Sequence, residues 1–206
     1  FKKLSFADGA DITAPADITG TVAYSSFYDA QNYTVTCSVG SSALTIALKN
    51  SAGTDPSGSS PAVISFRNTT AATGDYTAVS ASSATSLVIS SGSTLGQISA
   101  RSENIYLYAI NNAGTIELAA SGTTFDESTV QSTTAEGGAG AADSATVLYS
   151  TTARSSKAIR LIAVITNTQA TAGTWATTPS KIVLTNKPTP DSMIRIDTSN
   201  GYGSVG

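Results

Sequence analysis

Apolar and polar positions alternate with a period of two in short runs from residue 33 onward, and Gly, Ser and Asn break the runs. Leu44, Ile46 and Leu48 alternate with Thr45, Ala47 and Lys49 between Gly40-Ser41-Ser42 and Asn50-Ser51-Ala52-Gly53. That pattern predicts a half-buried strand with a turn at each end. Tyr33 to Val39 reads as the strand before it, with Cys37 on the same face as Tyr33, Val35 and Val39. Thr54 to Pro61 is a loop whose backbone two prolines constrain. Ala62 to Arg67 resumes as a strand with Ile64 and Phe66 on one face. Asp75 to Ser80 and Ser86 to Ser90 follow as short strands, the second with Leu87 and Ile89 inward.

The strongest hairpin signal lies at Glu103 to Ala120, where Asn111-Asn112-Ala113-Gly114 separates two strand patterns. The first of these strands is apolar or aromatic on both faces, which predicts a central strand covered on both sides. Ser121 to Ala142 is the longest non-periodic stretch of the interior, and it reads as a functional loop or as an arm along a neighbour. In KAIRLIAVIT (157–166), simple alternation places Ile159, Leu161, Ala163 and Ile165 on one face and Ile162 and Val164 on the other. Lys181 to Thr185 closes the series. The only helical candidate is a turn around Ala139 to Ala145. The pattern predicts an all-β fold, an antiparallel β-sandwich or barrel-like domain at 33–185, built from about ten short strands.

The flanks read differently. Residues 1–32 form an irregular N-terminal leader with breakers at Asp8-Gly9 and Thr13-Ala14-Pro15, yet they carry Phe1, Phe6, Tyr24, Phe27 and Tyr28. Burying such rings is worth roughly 1.5–3 kcal/mol each, so the leader is expected to pack on its own domain or on a partner. Asn186-Lys187-Pro188-Thr189-Pro190 reads as an extended linker in the C-terminal extension 186–206, with a further strand beginning at Met193. The chain opens on Phe1 and ends in a segment that reads as the start of a distal module, so a longer polypeptide is expected.

Composition narrows the function more than the pattern does. The chain has no His, one Cys and 12% charged residues. Serine–histidine and cysteine–histidine catalytic sets are therefore impossible within it, and the usual zinc ligand sets are excluded in practice. A single Cys makes no internal disulfide, and Cys37 reads as a buried, inert thiol. The net charge is −3 and, apart from Lys2-Lys3, the basic residues are scattered singly, so no basic patch suits a phosphate backbone and no nucleic-acid partner is expected. No apolar run reaches the roughly 18–20 residues of a membrane-spanning helix, and no membrane insertion is expected. Richness in Ser and Thr also suits a disordered or O-glycosylated stalk, but the regular β-branched and aromatic clusters argue for a fold.

Remaining candidates for chemistry are few. A glycosidase needs only two carboxylates, and Asp126-Glu127 with Glu136 or Asp143 is the best such set; solvated loop acids are the plainer reading. Asp8, Asp11 and Asp17 supply oxygen ligands at a spacing that matches no defined calcium loop. Glu136-Gly137-Gly138-Ala139-Gly140 lacks the Lys-Ser/Thr pair of a phosphate loop. No catalytic, cofactor or metal residue is assigned. Trp175, the only Trp, reads either as a sugar-stacking platform or as a loop side chain closing one end of the sandwich. Tyr106 and Tyr108 form either a binding stripe or ordinary sheet packing.

Four segments carry a family resemblance: SALTIALKNSAGTDPSGSSPAVISFRN (42–68), SGSTLGQISARSENIYLYAINNAGTIELAASG (91–122), STTAEGGAGAADSATVLYSTTARSSKAIRLIAVI (132–165) and TAGTWATTPSKIVL (171–184). Together they resemble uncharacterised structural proteins of tailed-bacteriophage virions, of the tail-fibre or head-fibre type. DSMIRIDTSNGYGS (191–204) resembles the start of a separate C-terminal module found in fibre-like phage proteins. The resemblance implies a non-enzymatic homotrimer on the exterior of a phage particle. Its leader would dock on portal, neck, capsid or tail proteins through Phe1, Phe6, Tyr24, Phe27 and Tyr28. Its β domain would face outward for host attachment, with a host surface glycan as a further candidate partner. Two alternatives stay open: a capsid decoration protein, and a carbohydrate-binding or depolymerising spike domain with its site near Trp175 or the acidic loop.

Overall fold

The computed structural model describes residues 32–67, 76–138 and 140–185. The aromatic leader residues, the three leader aspartates and everything from Asn186 on, including the linker and the strand at Met193, lie outside these. The described residues form eleven strands and no helix: β1 (Thr34–Gly40), β2 (Ala43–Lys49), β3 (Ala62–Arg67), β4 (Tyr76–Ala81), β5 (Thr85–Ile89), β6 (Ser102–Asn112), β7 (Thr115–Ser121), β8 (Thr134–Ala135), β9 (Tyr149–Ser150), β10 (Ala158–Thr168) and β11 (Lys181–Leu184). The helical turn expected around Ala139 to Ala145 is a pair of turns in its described part, because the run of Gly and Ala has no apolar face to bury as a helix.

One layer is a six-stranded sheet in the order β11-β10-β6-β7-β9-β8. The other combines a three-stranded sheet, β1-β2-β5, with the hairpin β3-β4. Contacts of β3 with β10, of β4 and β5 with β7, and of β1 with β11 bring the layers face to face. All pairings are antiparallel except the two-residue β8-β9 pair. The all-β class is as the periodicity predicts. Of the two forms it left open, the layers make a sandwich-like fold and not a closed barrel.

Alternation builds the core directly. Leu44, Ile46, Leu48, Leu87 and Ile89 are completely buried from one layer, and Ile105, Leu107 and Ala109 meet them from the other. Cys37 packs at the margin of this core beside Tyr33 and Val35, and desolvation pushes its thiol up to about 12. The thiol is half-buried and not fully buried as expected, and the raised value favours its protonated form. The β6-β7 hairpin turns tightly on Ala113 and Gly114, which both adopt positive φ, at 51° and 88°. That is the mirror-image turn that matches strand twist. The Gly114 N–H donates to Asn111 Oδ1 at 2.8 Å.

The six-stranded sheet is covered on its outer face as well. Tyr108, Ile110, Ala119, Leu148 and Ile159 form a second buried cluster there, with Tyr106, Phe125 and Leu161 at its edge. Here the expected faces of β10 are corrected. Leu161 pairs with Tyr108 but Ala163 pairs with Leu107, so Ile162 is an extra residue in a β-bulge. Ile159 and Leu161 therefore face the outer cluster, whereas Ile162, Ala163 and Ile165 face the main core. The bulge carbonyls are capped: Thr185 Oγ1–H donates to Leu161 O at 2.6 Å and Thr185 N–H to Ile162 O at 3.2 Å.

Candidate functional site

Among the described residues, the four acids singled out from the sequence, Asp126, Glu127, Glu136 and Asp143, are structural anchors. Asp126 closes its own turn by accepting from the Ser128 N–H and Oγ–H, each at 2.7 Å, and these bonds hold its carboxyl below the usual range. Glu127 accepts the Leu161 N–H at the bulge at 2.7 Å and pairs with the Arg160 guanidinium at 3.2 Å. Glu136 accepts from Ser90 N–H, Ser90 Oγ–H and Ser93 Oγ–H at 3.0, 2.7 and 2.6 Å. Asp143 accepts from the Thr94 N–H and Oγ–H. Glu127 ties its loop to the β10 bulge, and Glu136 and Asp143 tie theirs to the 90–94 segment, whereas Asp126 closes only its own turn. In its described part, the 121–142 stretch is tied to its own chain by these bonds.

Trp175 is likewise corrected as a sugar platform. It is 1% exposed, and its Nε1–H donates to Ser93 O at 3.0 Å. Its backbone N–H donates to Ser42 O in the β1-β2 turn at 3.2 Å. The indole closes one end of the sandwich, and neither of its faces is open to a ligand.

The two tyrosines of β6 part company. Both lie on the outer face, where side chains recur every second residue. The loop after β7 lands on Tyr108: the Phe125 N–H donates to its Oη at 2.7 Å, and the two rings meet edge to face at 6.2 Å. Tyr108 is completely buried. Tyr106, one step nearer the start of the strand, is left half-exposed and lines a cleft of about 200 Å³.

Gln97, Arg101, Glu103 and Asn104 share this cleft with Tyr106. Its floor is made where Gly96 and Gly122 press against Ala145. Gly96 has φ +73°, and a Cβ there would collide with the Ala145 backbone. A Cβ on Gly122 would come within 2.9 Å of the Ala145 Cβ. Glu103 Oε2 accepts the Ile98 N–H at 2.7 Å, which holds the 98–101 turn against β6 and presents Arg101 at the rim. Asn104 Oδ1 accepts from Thr166 Oγ1 at 2.9 Å. That bond orients the amide and leaves its Nδ2–H donors uncommitted. Gln97 Nε2 is buried and has no hydrogen-bond partner among the described residues.

A second hollow, of about 220 Å³, lies between Thr85, Ser86, Glu117 and Arg154. Its charges are already consumed: Arg154 donates to both Glu117 oxygens at 2.7 and 2.6 Å, and Asn112 Nδ2–H donates to Oε1 at 3.0 Å. The Arg154 hydrogen bonds hold the Glu117 carboxyl below its usual range. The Tyr106 cleft is the candidate site because its polar groups are positioned but not fully paired.

Sequence reasoning weighed Tyr106 only with Tyr108 and missed the rest of this cleft. A usable signal was present: four of the eight residues 97–104 are planar polar side chains in a stretch otherwise of Ile, Ser and Ala. Comparison with known protein families, with curated proteins and with solved structures gives no match to this chain.

Proposed function

We propose that this chain is a non-enzymatic structural subunit of a bacteriophage virion, a fibre or appendage protein on the particle exterior. The sandwich-like fold displays its outer face, and the leader docks on a portal, neck, capsid or tail protein. The observation that carries the reading is the use of the acids. Glu127, Glu136 and Asp143 strap long polar loops onto the strands through bonds to backbone N–H groups and hydroxyls, which makes a rigid display body. The four-segment resemblance supplies the particle, and it spans both layers and the straps between them. A homotrimer is part of the same reading.

Quantitative mass spectrometry of purified particles of the encoding phage tests it. A fibre is expected at a few tens of copies or fewer per particle. Hundreds of copies would favour the capsid decoration protein, and absence from the particle would overturn the proposal. Light scattering of the full chain tests the trimer, and a clean monomer at micromolar concentration would count against it.

A further inference from the structure

The cleft beside Tyr106 combines three features that converge on one ligand chemistry. First, its size is that of a single ring: about 200 Å³, against the roughly 300–1,000 Å³ of pockets that enclose drug-sized molecules. Second, its polar groups are planar and only partly committed. Glu103 Oε2 and Asn104 Oδ1 already accept from the Ile98 N–H and Thr166 Oγ1, which leaves Glu103 Oε1, the Asn104 Nδ2–H donors, the Gln97 amide and the Arg101 guanidinium to meet hydroxyls. Third, the part-buried ring of Tyr106 lines the same cleft, and an aromatic face takes the C–H side of a pyranose.

Charge narrows the choice further. Arg101 and Glu103 bring one cation and one anion to the same cleft, so no net field selects a phosphate or an ammonium group. A neutral, hydroxyl-rich ligand suits that balance. The buried, unpartnered Nε2 of Gln97 supplies a driving force. An orphaned buried donor is unfavourable, and rotation of the side chain toward a ligand hydroxyl removes the defect. The floor is fixed by the close packing of Gly96 and Gly122 on Ala145, so the site is largely formed before a ligand arrives.

We propose that this cleft is a monosaccharide-binding site for a neutral pyranose unit of a surface glycan, with Tyr106 as the stacking platform and Gln97, Arg101, Glu103 and Asn104 as hydroxyl readers. The inference deepens the outward-facing role proposed above and rests on it for the source of the glycan. It replaces Trp175, whose indole is buried, with a residue that is only part-buried and lines the cleft.

The test uses the full chain in solution, so its outcome does not depend on where the protein sits on a particle. Saturation-transfer NMR is run with the methyl glycosides of glucose, galactose, mannose, N-acetylglucosamine and rhamnose, and with glucuronic acid as the charged control. At least one neutral glycoside is expected to bind at millimolar concentration and to shift the Gln97 side-chain amide and the Tyr106 ring resonances. Arg101→Ala and Gln97→Ala, at rim and wall positions outside the core, are expected to weaken binding at least tenfold with an unchanged fold. Tyr106→Phe keeps the stacking face and is expected to retain binding, whereas Tyr106→Ala abolishes it. Silence with all the neutral probes, a preference for glucuronic acid, or full binding in both Arg101→Ala and Gln97→Ala would overturn the assignment. None of these would bear on whether the chain belongs to a virion, which particle composition decides separately.

Discussion

Glu136 stands in a run of glycines and alanines that has almost no side chain to pack, and its carboxylate ties that run to the 90–93 segment. Its carboxylate collects the Ser90 amide and the hydroxyls of Ser90 and Ser93, while Gly138 O accepts a second bond from the Ser93 hydroxyl. Hydrogen bonds to a charged group contribute about 1.5–3 kcal/mol, and buried donors left without an acceptor cost about as much. Glu136→Ala is therefore expected to lower unfolding free energy by about 2–3 kcal/mol in urea titration, with Glu136→Gln in between. The Glu117–Arg154 pair responds to pH instead. The Glu117 carboxyl is held below its ordinary value of 4.5, chiefly by the Arg154 hydrogen bonds, so the pair stabilises the fold above that value. The contribution is lost as pH falls through the folded value. Glu117→Gln is expected to cost about 1 kcal/mol or less at pH 7, given the partial exposure of the pair. The gap between the two proteins should narrow as pH falls below 4.5, which urea titrations at pH 7, 5 and 3.5 would reveal. A gap that widened in acid would contradict this role.

At the scale of elements, two features set the strand register. The β6-β7 turn depends on Gly114, whose φ of +88° is strained for any side chain although no atom lies within 4 Å of the position a Cβ would take. Gly114→Ala is thus expected to cost about 1 kcal/mol through backbone conformation alone. Gly58→Ala is the control, since that site is equally open and has no positive φ. It should be neutral or slightly stabilising in thermal unfolding. Trp175 links the end of β1-β2 to the 90–93 segment through bonds from both its nitrogens. Trp175→Ala is expected to destabilise by about 3–5 kcal/mol. As the only Trp, it also reports its own position. Native fluorescence should be blue-shifted and shielded from iodide, and ready quenching in the folded state would restore the reading of an exposed platform.

Across the whole molecule, the layers were legible wherever one face of a strand is buried, because period two then marks every second residue. Leu44, Ile46 and Leu48 announce themselves in this way. The bulge in β10 was not legible. Leu161, Ile162 and Ala163 are all apolar, so the sequence has no polar residue to mark the point at which the faces exchange. The cleft was hidden for a different reason. Its floor joins Gly96, Gly122 and Ala145, which are far apart in the chain, and its aromatic ring differs from Tyr108 only because the loop at Phe125 lands on one tyrosine and not the other. Acids that suggested chemistry turned out to be straps, since a carboxylate in a polar loop finds backbone N–H donors as readily as substrate. A body strapped in this way, presenting one polar cleft on its outer face, suits display on a particle.

Cryo-electron microscopy of purified particles of the phage proposed to encode this chain tests that claim most directly. The account predicts density for the sandwich in threefold copies on an external appendage, joined to the particle through the residues preceding Asn32. Density repeated across the capsid lattice in hundreds of copies, or none on the particle at all, would contradict it.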